Sequence, residues 1–426
     1  MVSGLLHARW SAVPYRFGSQ NSYAAYICFA MLHVFVALVA GVPDEAEDIQ
    51  PAVLRSLVAA AVSTAVWLTL QTLTPGLLPR RVILLNAALQ PIWSFVCSVV
   101  VIRSDRRQIR RERVCALVQP GEIPSLQADC AREFPFPEQQ FLLVDIVTVV
   151  ELSGLASAAE VHQRLARNEP SLIVAADSST EIPRVVDAVT LLHRTGVKVR
   201  TLAQFYEEYI GKESLAELTR MTMLFDVRAL HHATYRRAKR VIDIVGAAFG
   251  LIAALSAAPI VIGGNLFANR GSLLFSQERV GRDGDTFTVF KFRTMRIGAA
   301  LSTPDWPAPS DPRITPFGRL LRRSHLDELP QFWNVLTGDL SLVGPRPEQP
   351  HYVDELTRKE PAYELRHLVT PGLTGWAQIK HRYAATEAEA IEKLQYDLYY
   401  LRNQSLALDL RILSRTVRSV IRQRGR

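Results

Sequence analysis

Cysteine is scarce and scattered: Cys28, Cys97, Cys115 and Cys130 form no CxxC pair and have no histidine at zinc spacing. This excludes a disulfide framework and a cysteine-based metal cluster. The opening residues carry Arg9 and Arg16 but no apolar core ending in a small-residue cleavage site, so no removable signal peptide is expected. Acidic residues do not balance the basic ones, with 41 Asp and Glu against 49 Lys and Arg and a net charge of +8. Much of that excess lies beside apolar runs, at residues 103–113 and 236–240. Such a distribution argues for membrane flanks and phosphate sites and against nucleic acid as a partner. After Gly271 there is no long apolar run, so the last third of the chain reads as a polar domain.

What is present is a sequence 48% hydrophobic, with its apolar residues bunched. Three runs, 22–42, 53–73 and 82–102, reach the ~20 residues that cross a hydrocarbon core, the third bent or broken at Pro91. Residues 1–110 are therefore expected to form an N-terminal transmembrane region. If all three runs span, Arg9, Arg16, Arg80 and Arg81 lie on one side, and Arg55 with the arginines from Arg103 to Arg113 on the other. Because Lys and Arg set orientation, the side after Ile102 is expected to be cytoplasmic and the N-terminus outside. The acidic loop Asp44, Glu45, Glu47 and Asp48 then falls inside, which keeps a two-span version with a re-entrant third segment open.

From residue 111 to 218 the pattern changes to short β-rich runs, 113–118, 141–147, 171–176 and 197–202, separated by helix-like stretches. Alternation of this kind predicts a small parallel α/β domain. Its first strand leads into Gln119-Pro120-Gly121-Glu122, where a dinucleotide-binding fold carries a glycine-rich turn for a pyrophosphate. One glycine does not make that turn, so a Rossmann-like domain with a regulatory or spacing role is favoured over a nucleotide site. Residues 219–238 read as a linker.

Residues 239–268 open with Lys239-Arg240 and continue as an apolar run carrying Asp243 near its start and Pro259 inside. A plain span is one reading. Arg236, Arg237, Lys239 and Arg240 precede it, however, and Arg270, Arg279 and Arg282 follow, so both ends prefer the cytoplasmic face. A helix broken at Pro259 that enters the bilayer and returns satisfies both ends.

The chemistry is expected in residues 269–426. Two arginines in Arg322-Arg323-Ser324-His325 run directly into Leu326-Asp327-Glu328-Leu329-Pro330-Gln331, and Gly344-Pro345-Arg346-Pro347 follows. Pro330 is tolerated only in the first turn of a helix, so a helix is expected to begin close to Asp327. Carboxylates, guanidinium forks and a helix start together suit phosphate chemistry, in which an Asp can attack phosphorus and Mg²⁺ takes one or two carboxylates plus substrate phosphates. The plainer reading of a lone Asp-Glu pair is a helix cap with a surface salt bridge.

Context decides between them. Gln277-Glu278-Arg279-Val280-Gly281-Arg282-Asp283-Gly284, Phe290-Lys291-Phe292-Arg293-Thr294-Met295, Asp311-Pro312-Arg313-Ile314-Thr315, the Leu326–Gln331 segment, Gly338 to Pro347, and Pro371-Gly372-Leu373-Thr374-Gly375-Trp376-Ala377-Gln378 occur in that order. The chain thereby closely resembles the bacterial sugar transferases, the monotopic phosphoglycosyl transferases that include undecaprenyl-phosphate glucose and galactose phosphotransferases. The resemblance covers about residues 235–420, and the front half looks like that of extended members with added membrane helices.

By that resemblance Asp327 is the nucleophile on the sugar-bearing phosphorus of a UDP-sugar, and Glu328 the Mg²⁺ ligand. Arg322 and Arg346 match the arginines that hold phosphate or nucleotide groups, and Lys291 and Arg293 match the basic pair of the Lys-Phe-Arg motif. Pro371, Gly372 and Gly375 match turn-formers that shape the pocket. Where the family has Ser-Pro at its re-entrant break this chain has Ala258-Pro259, and His325 stands where a small serine is common. An acid–base role for His325 is one reading of that departure. The number of spans is another departure, since extended members carry four with both termini cytoplasmic.

The expectation is thus a multi-pass enzyme of the bacterial inner membrane. It comprises a membrane α-helical N-terminus, a degenerate Rossmann-like α/β domain, a re-entrant membrane helix and a mixed α/β catalytic domain on the cytoplasmic face. It would move a sugar 1-phosphate from a UDP-sugar to undecaprenyl phosphate, with Mg²⁺ as cofactor and the lipid bilayer as partner, while a homo-oligomer stays open. Rival readings are a catalytically inert scaffold, which predicts a ruined Asp-Glu pair, and a lipid-sugar transporter, which needs many more spans.

Overall fold

A computed structural model of the chain describes residues 33–34, 36–37, 49–73, 89, 92, 96, 112–131, 141–213, 215, 233–268, 271–296, 313–380 and 386–421. The chain divides into two compact units. One holds helix α1 (Ile49–Leu73) and the end of the C-terminal helix from Leu413, and the other is Arg110–Ile412.

Helix α1 covers the second apolar run of the sequence. Its small polar residues turn inward: Ser63 Oγ donates to the carbonyl of Ala59 at 2.8 Å and lies 3.1 Å from His33 Nδ1. The hydroxyl is satisfied within its own helix, as a polar group needs to be in apolar surroundings. Most of the other two expected spans, 22–42 and 82–102, lies outside the described residues.

The second unit opens with β1 (Glu112–Val118), α2 (Ile123–Ala131), β2 (Phe141–Thr148), α3 (Ala158–Ala166), β3 (Leu172–Ala175), α4 (Pro183–Arg194) and β4 (Lys198–Thr201). All four strands are parallel, in the order β2-β1-β3-β4. Strand β1 is buried without a break from Val114 to Val118, as expected of a parallel strand covered on both faces. Cys115 and Leu117 point into one apolar layer with Val161, Leu165, Val185 and Leu192. Val114, Ala116 and Val118 point into the other, with Leu126, Phe205 and Tyr209. The expected parallel α/β arrangement is present.

The turn after β1 closes on itself. Gln119 N–H donates to Glu122 Oε2 at 2.8 Å, and Glu122 N–H donates back to the Gln119 carbonyl at 3.0 Å. A carboxylate therefore takes a donor that a pyrophosphate would use, and it repels an anion besides.

The rest of the unit comprises α5 (Ala233–Ala268), the hairpin β5 (Leu274–Val280) and β6 (Thr286–Phe292), α6 (Pro316–Arg323), a 3₁₀ turn (Leu326–Glu328), α7 (Gln331–Thr337), β7 (Ser341–Val343), α8 (Pro350–Lys359), β8 (Gly372–Thr374), α9 (Glu387–Asn403) and, as far as Ile412, the first part of α10 (Leu406–Ile421). Strands β5 and β6 are antiparallel, and β7 and β8 pair in parallel.

Helix α5 is the one described helix long and apolar enough to cross a membrane. Its 36 residues extend ~54 Å at the ordinary rise. Ala247, Ala254 and Val261, seven residues apart, are buried on one face, while Phe249, Ile252, Leu255, Ile260 and Phe267 are exposed on the other. A row of large apolar side chains facing outward is poorly suited to water. The inward face is made of small residues that admit neighbouring rings: a Cβ at Gly250 would lie 2.2 Å from Phe332 Cγ, and one at Gly264 would lie 2.1 Å from Phe317 Cζ.

The break expected at Pro259 is not seen, because the helix continues through this residue to Ala268. Proline removes one N–H from the ladder and crowds one carbonyl, and the flanking turns remain helical. Asp243, noted in the sequence as a charge at the mouth of an apolar run, is also accounted for. Its Oδ1 accepts from Leu342 N–H at 2.8 Å and from Ser341 Oγ at 3.0 Å, tying the helix to β7.

Candidate active site

The β5–β6 hairpin brings Lys291 to the site from the strand of the Lys-Phe-Arg motif, with Phe292 buried beneath it. Helix α6 ends at Arg323, and His325 follows in the left-handed conformation at φ 55°. That turn redirects the chain so that Leu326–Glu328 forms a tight 3₁₀ turn of its own. Pro330 then caps α7, which starts at Gln331. The helix expected to begin near Asp327 therefore begins later, because Pro330 cannot supply the N–H a continuous helix would need. Glu328 N–H bonds to the His325 carbonyl at 3.3 Å, so it faces no ligand.

The Asp-Glu pair is not a surface cap. Asp327 is only 8% exposed. Glu328 Oε1 accepts from Arg346 Nη2 at 2.7 Å and from Lys291 Nζ at 3.2 Å, which joins three sequence motifs at one oxygen. Arg322 donates from Nε to Thr294 Oγ1 at 2.9 Å and acts electrostatically on Asp327. Arg293 is buried and reaches Asn265 Oδ1 of α5 at 3.4 Å, and Asn265 in turn donates to the Gly271 carbonyl at 3.0 Å. Of the residues expected at the site, Lys291, Glu328 and Arg346 are in direct contact and Asp327 and Arg322 stand beside them, whereas Arg293 reaches the membrane-type helix.

The two carboxyls are driven apart. Burial and then the charge of Glu328 push Asp327 up to about 6, against the pull of Lys291, Arg322 and Arg346. Burial acts on Glu328 in the same sense, but Arg346 and Lys291 overcome it and hold that carboxyl well below the ordinary carboxylate range. Burial likewise lowers Lys291, with Glu328 opposing. One carboxylate is thus fixed as an anion inside a cationic frame, while its neighbour is a buried carboxylate of raised basicity. A pair separated in this way can divide its roles between a nucleophile and a charge-holding ligand.

Sequence reasoning gave several neighbours no role at the site. Arg279 of β5 donates from Nη1 to the Pro347 carbonyl at 3.1 Å and to Glu348 Oε2 at 3.3 Å, adding positive charge close to Arg346. It lies inside a motif that the resemblance rests on, which was the only signal for it. Asn265 carried no signal, and Thr294 only its place in the Lys-Phe-Arg motif, since their importance comes from the arginines that reach them.

The model of the family described as bacterial sugar transferase matches residues 234–423. A UDP-N-acetylgalactosamine-undecaprenyl-phosphate N-acetylgalactosaminephosphotransferase of Aeromonas hydrophila is 43% identical over 151 residues, covering 35% of this chain and 36% of that protein. Of this relative and others of similar length the chain spans between 32% and 42%. Two shorter relatives are covered much further. A UDP-glucose:undecaprenyl-phosphate glucose-1-phosphate transferase of Caulobacter vibrioides is 39% identical over 188 residues, 43% of this chain and 69% of the relative. An uncharacterized sugar transferase of Bacillus subtilis, EpsL, is 45% identical over 156 residues, 36% of this chain and 72% of the relative. Residues 234–423, which the family model matches, include the buried Asp327 and the caged Glu328, and with these two relatives covered over more than two thirds of their length the chain belongs to the bacterial sugar transferase family.

Proposed function

We propose that the chain transfers a sugar 1-phosphate from a UDP-sugar to undecaprenyl phosphate, giving undecaprenyl diphosphate sugar and UMP, and so initiates an exopolysaccharide, capsule or O-antigen. The observation that carries this reading is a buried, raised-pKa Asp327 beside a Glu328 held by Lys291 and Arg346. The names of the relatives support the substrates.

Asp327 attacks the phosphorus that bears the sugar, one P–O bond forms, and the P–O bond to UMP breaks. An oxygen of undecaprenyl phosphate then attacks the phosphosugar-aspartyl group, and the aspartyl P–O bond breaks to restore the carboxylate. Lys291, Arg346, Arg322 and Arg279 surround the reacting phosphates with fixed positive charge, which stabilises charge moving onto the leaving UMP. Arg293 lies further back, between the hairpin and α5.

Mg²⁺ fits the donor set. Among the described residues no cluster of three or more His, Cys, Asp or Glu side chains exists, so an all-protein cage is absent. Mg²⁺ needs only one or two carboxylates and completes its shell with water and substrate phosphates. Glu328 would hold it, and both observed bonds to Glu328 fall on Oε1. When bound, the ion supplies neutralisation of the diphosphate.

The apolar outer face of α5 would lie in the inner membrane, and the exposed Arg236 and Arg237 before it and Arg282 after it favour a re-entrant path that bends at Pro259 without breaking there. The catalytic unit then faces the cytoplasm, where a soluble UDP-sugar meets the lipid. Further spans in residues 1–110 would make the protein multi-pass. The α/β unit, with its self-closed turn after β1, serves as a degenerate Rossmann-like spacer.

Membranes containing the full chain should release UMP from one member of a UDP-sugar panel when undecaprenyl phosphate and Mg²⁺ are supplied. Asp327→Asn should lower the rate by roughly 10³-fold or more, as loss of a nucleophile does. Mass spectrometry of acid-quenched protein should find the sugar phosphate on Asp327. An inert wild type with every donor and lipid would favour a scaffold.

A further inference from the structure

Arg346 stands between Pro345 and Pro347, two residues with no N–H to tie their turn in place. The turn is fastened from outside. On one side Gly344 N–H donates to the Thr374 carbonyl at 2.9 Å, and Gly372 N–H donates to the Pro345 carbonyl at 2.8 Å, which joins the turn to β8. On the other side the carbonyl of Arg346 itself accepts from Arg366 Nη2 at 2.8 Å.

Arg366 is 5% exposed. The same Nη2 donates to Asp397 Oδ2 of α9 at 2.8 Å, and Nη1 donates to the Tyr363 hydroxyl at 2.6 Å. Three acceptors from separate segments thus share one planar fork, a geometry that an ammonium group does not reproduce. A buried ion pair of this kind is weak as a source of stability, since apolar side chains of the same volume do as well. What it does supply is a defined position for the backbone of Arg346, whose guanidinium meets Glu328 Oε1 at 2.7 Å.

We propose that Arg366, backed by Asp397, is a positioning residue for the reaction: it fixes the Arg346 backbone so that the Arg346 guanidinium meets Glu328 and the donor diphosphate. The proposal rests on the transfer reaction given above. It also assigns a role to the segment Pro361–Leu368.

The test uses the full chain in nanodiscs, UMP release as readout, and the variants Arg366→Lys, Arg346→Lys and the double variant. Arg366→Lys should lower kcat by roughly 10- to 100-fold, the usual effect of removing a partner one shell out, while KM for the UDP-sugar changes by less than about threefold. The Mg²⁺ concentration at half-maximal rate should rise. In the Arg346→Lys background the added Arg366→Lys should cost less than about threefold, because both act through the same guanidinium. If the two losses multiply, or if activity per folded molecule is unchanged in Arg366→Lys, Arg366 does not act through Arg346. Should Arg366→Lys fail to fold, Tyr363→Phe removes only the Nη1 anchor, and a Mg²⁺ requirement identical to wild type would equally overturn the proposal. An inert wild type overturns the transfer reaction and this proposal together, whereas an active wild type with multiplying losses overturns this proposal alone.

Discussion

Trp376 donates its indole N–H to the carbonyl oxygen of Gly211 at 2.8 Å. The bond joins the end of the α/β segment to the Gly-Trp-Ala-Gln motif just beyond β8, the strand that fastens the Arg346 turn. Gly211 has φ 74°, and a Cβ there would lie 2.9 Å from Trp376 Cζ2. Gly211→Ala should therefore destabilise the unit by about 2–4 kcal/mol, from left-handed strain and overpacking together. A calorimetric or fluorescence-detected thermal midpoint would register it, and an unchanged midpoint would mean the two segments are not joined as described.

Lys212, the next residue, places its ammonium 3.0 Å from Asp129 Oδ2 and 3.3 Å from Glu392 Oε1, with little solvent around it. Lys212→Met removes the cation and leaves Asp129 buried without it and Glu392 half-buried, which costs about 3–5 kcal/mol when one partner of such a group is deleted. Limited proteolysis of the variant should cut the α/β segment at protease concentrations that leave wild type intact.

Asp327 binds its proton more tightly in the folded chain, at about 6 against an ordinary 3.8. Its contribution to stability is therefore fully present below about pH 4 and is lost as pH rises through about 6. Asp327→Asn has no such proton to lose. In chelator, the midpoint of the variant minus that of wild type should widen between pH 4 and pH 6 and stay level above. A difference that does not vary with pH would show that Asp327 is not perturbed. Formation of the proposed aspartyl intermediate should rise as pH passes through about 6, since only the carboxylate attacks.

Gly263 and Gly264 are adjacent in α5 and face opposite surroundings. A Cβ at Gly263 meets nothing within 4 Å, while one at Gly264 lies 2.1 Å from the ring of Phe317. Gly263→Ala should be neutral or slightly stabilising. Gly264→Ala should cost about 1–3 kcal/mol by forcing α5 off α6. Detergent-solubilised protein should show the contrast in its thermal midpoint, and equal effects would refute this packing.

Arg240 donates from Nη1 to the Val335 carbonyl and from Nη2 to the Leu336 carbonyl, both at 2.7 Å, and so caps the last turn of α7. Arg240→Ala leaves those carbonyls without a partner and should cost about 1–3 kcal/mol. Arg240→Lys should recover only part of this loss.

The same contact shows how far the sequence could be read. Lys239 and Arg240 look like a basic membrane flank, yet Lys239 Nζ bonds the Val343 carbonyl at 2.9 Å and Asp409 Oδ2 at 3.0 Å, and Arg240 caps α7. Charge counting cannot distinguish a lysine that points at lipid headgroups from one buried against its own domain. The parallel sheet was legible because β-rich runs alternate with helical periodicity, a local property. The long helix at 239–268 was legible as an apolar run, but the continuity of α5 through Pro259 depends on the turns around it.

The sequence by itself determined which chemistry is available: Asp327 and Glu328 beside arginines in ordered motifs, an apolar segment long enough for a membrane, and no glycine-rich turn after β1. Residue type and near-neighbour spacing suffice for such inferences. Tertiary structure alone decided that Lys291 and Arg346, 55 residues apart, share one oxygen of Glu328, that Arg293 turns to Asn265, and that Arg366 holds the backbone of Arg346. Those choices follow from how α5, the hairpin and β7 pack. Burial and fixed distance, which set the charge state of each carboxyl, exist only once the chain has folded.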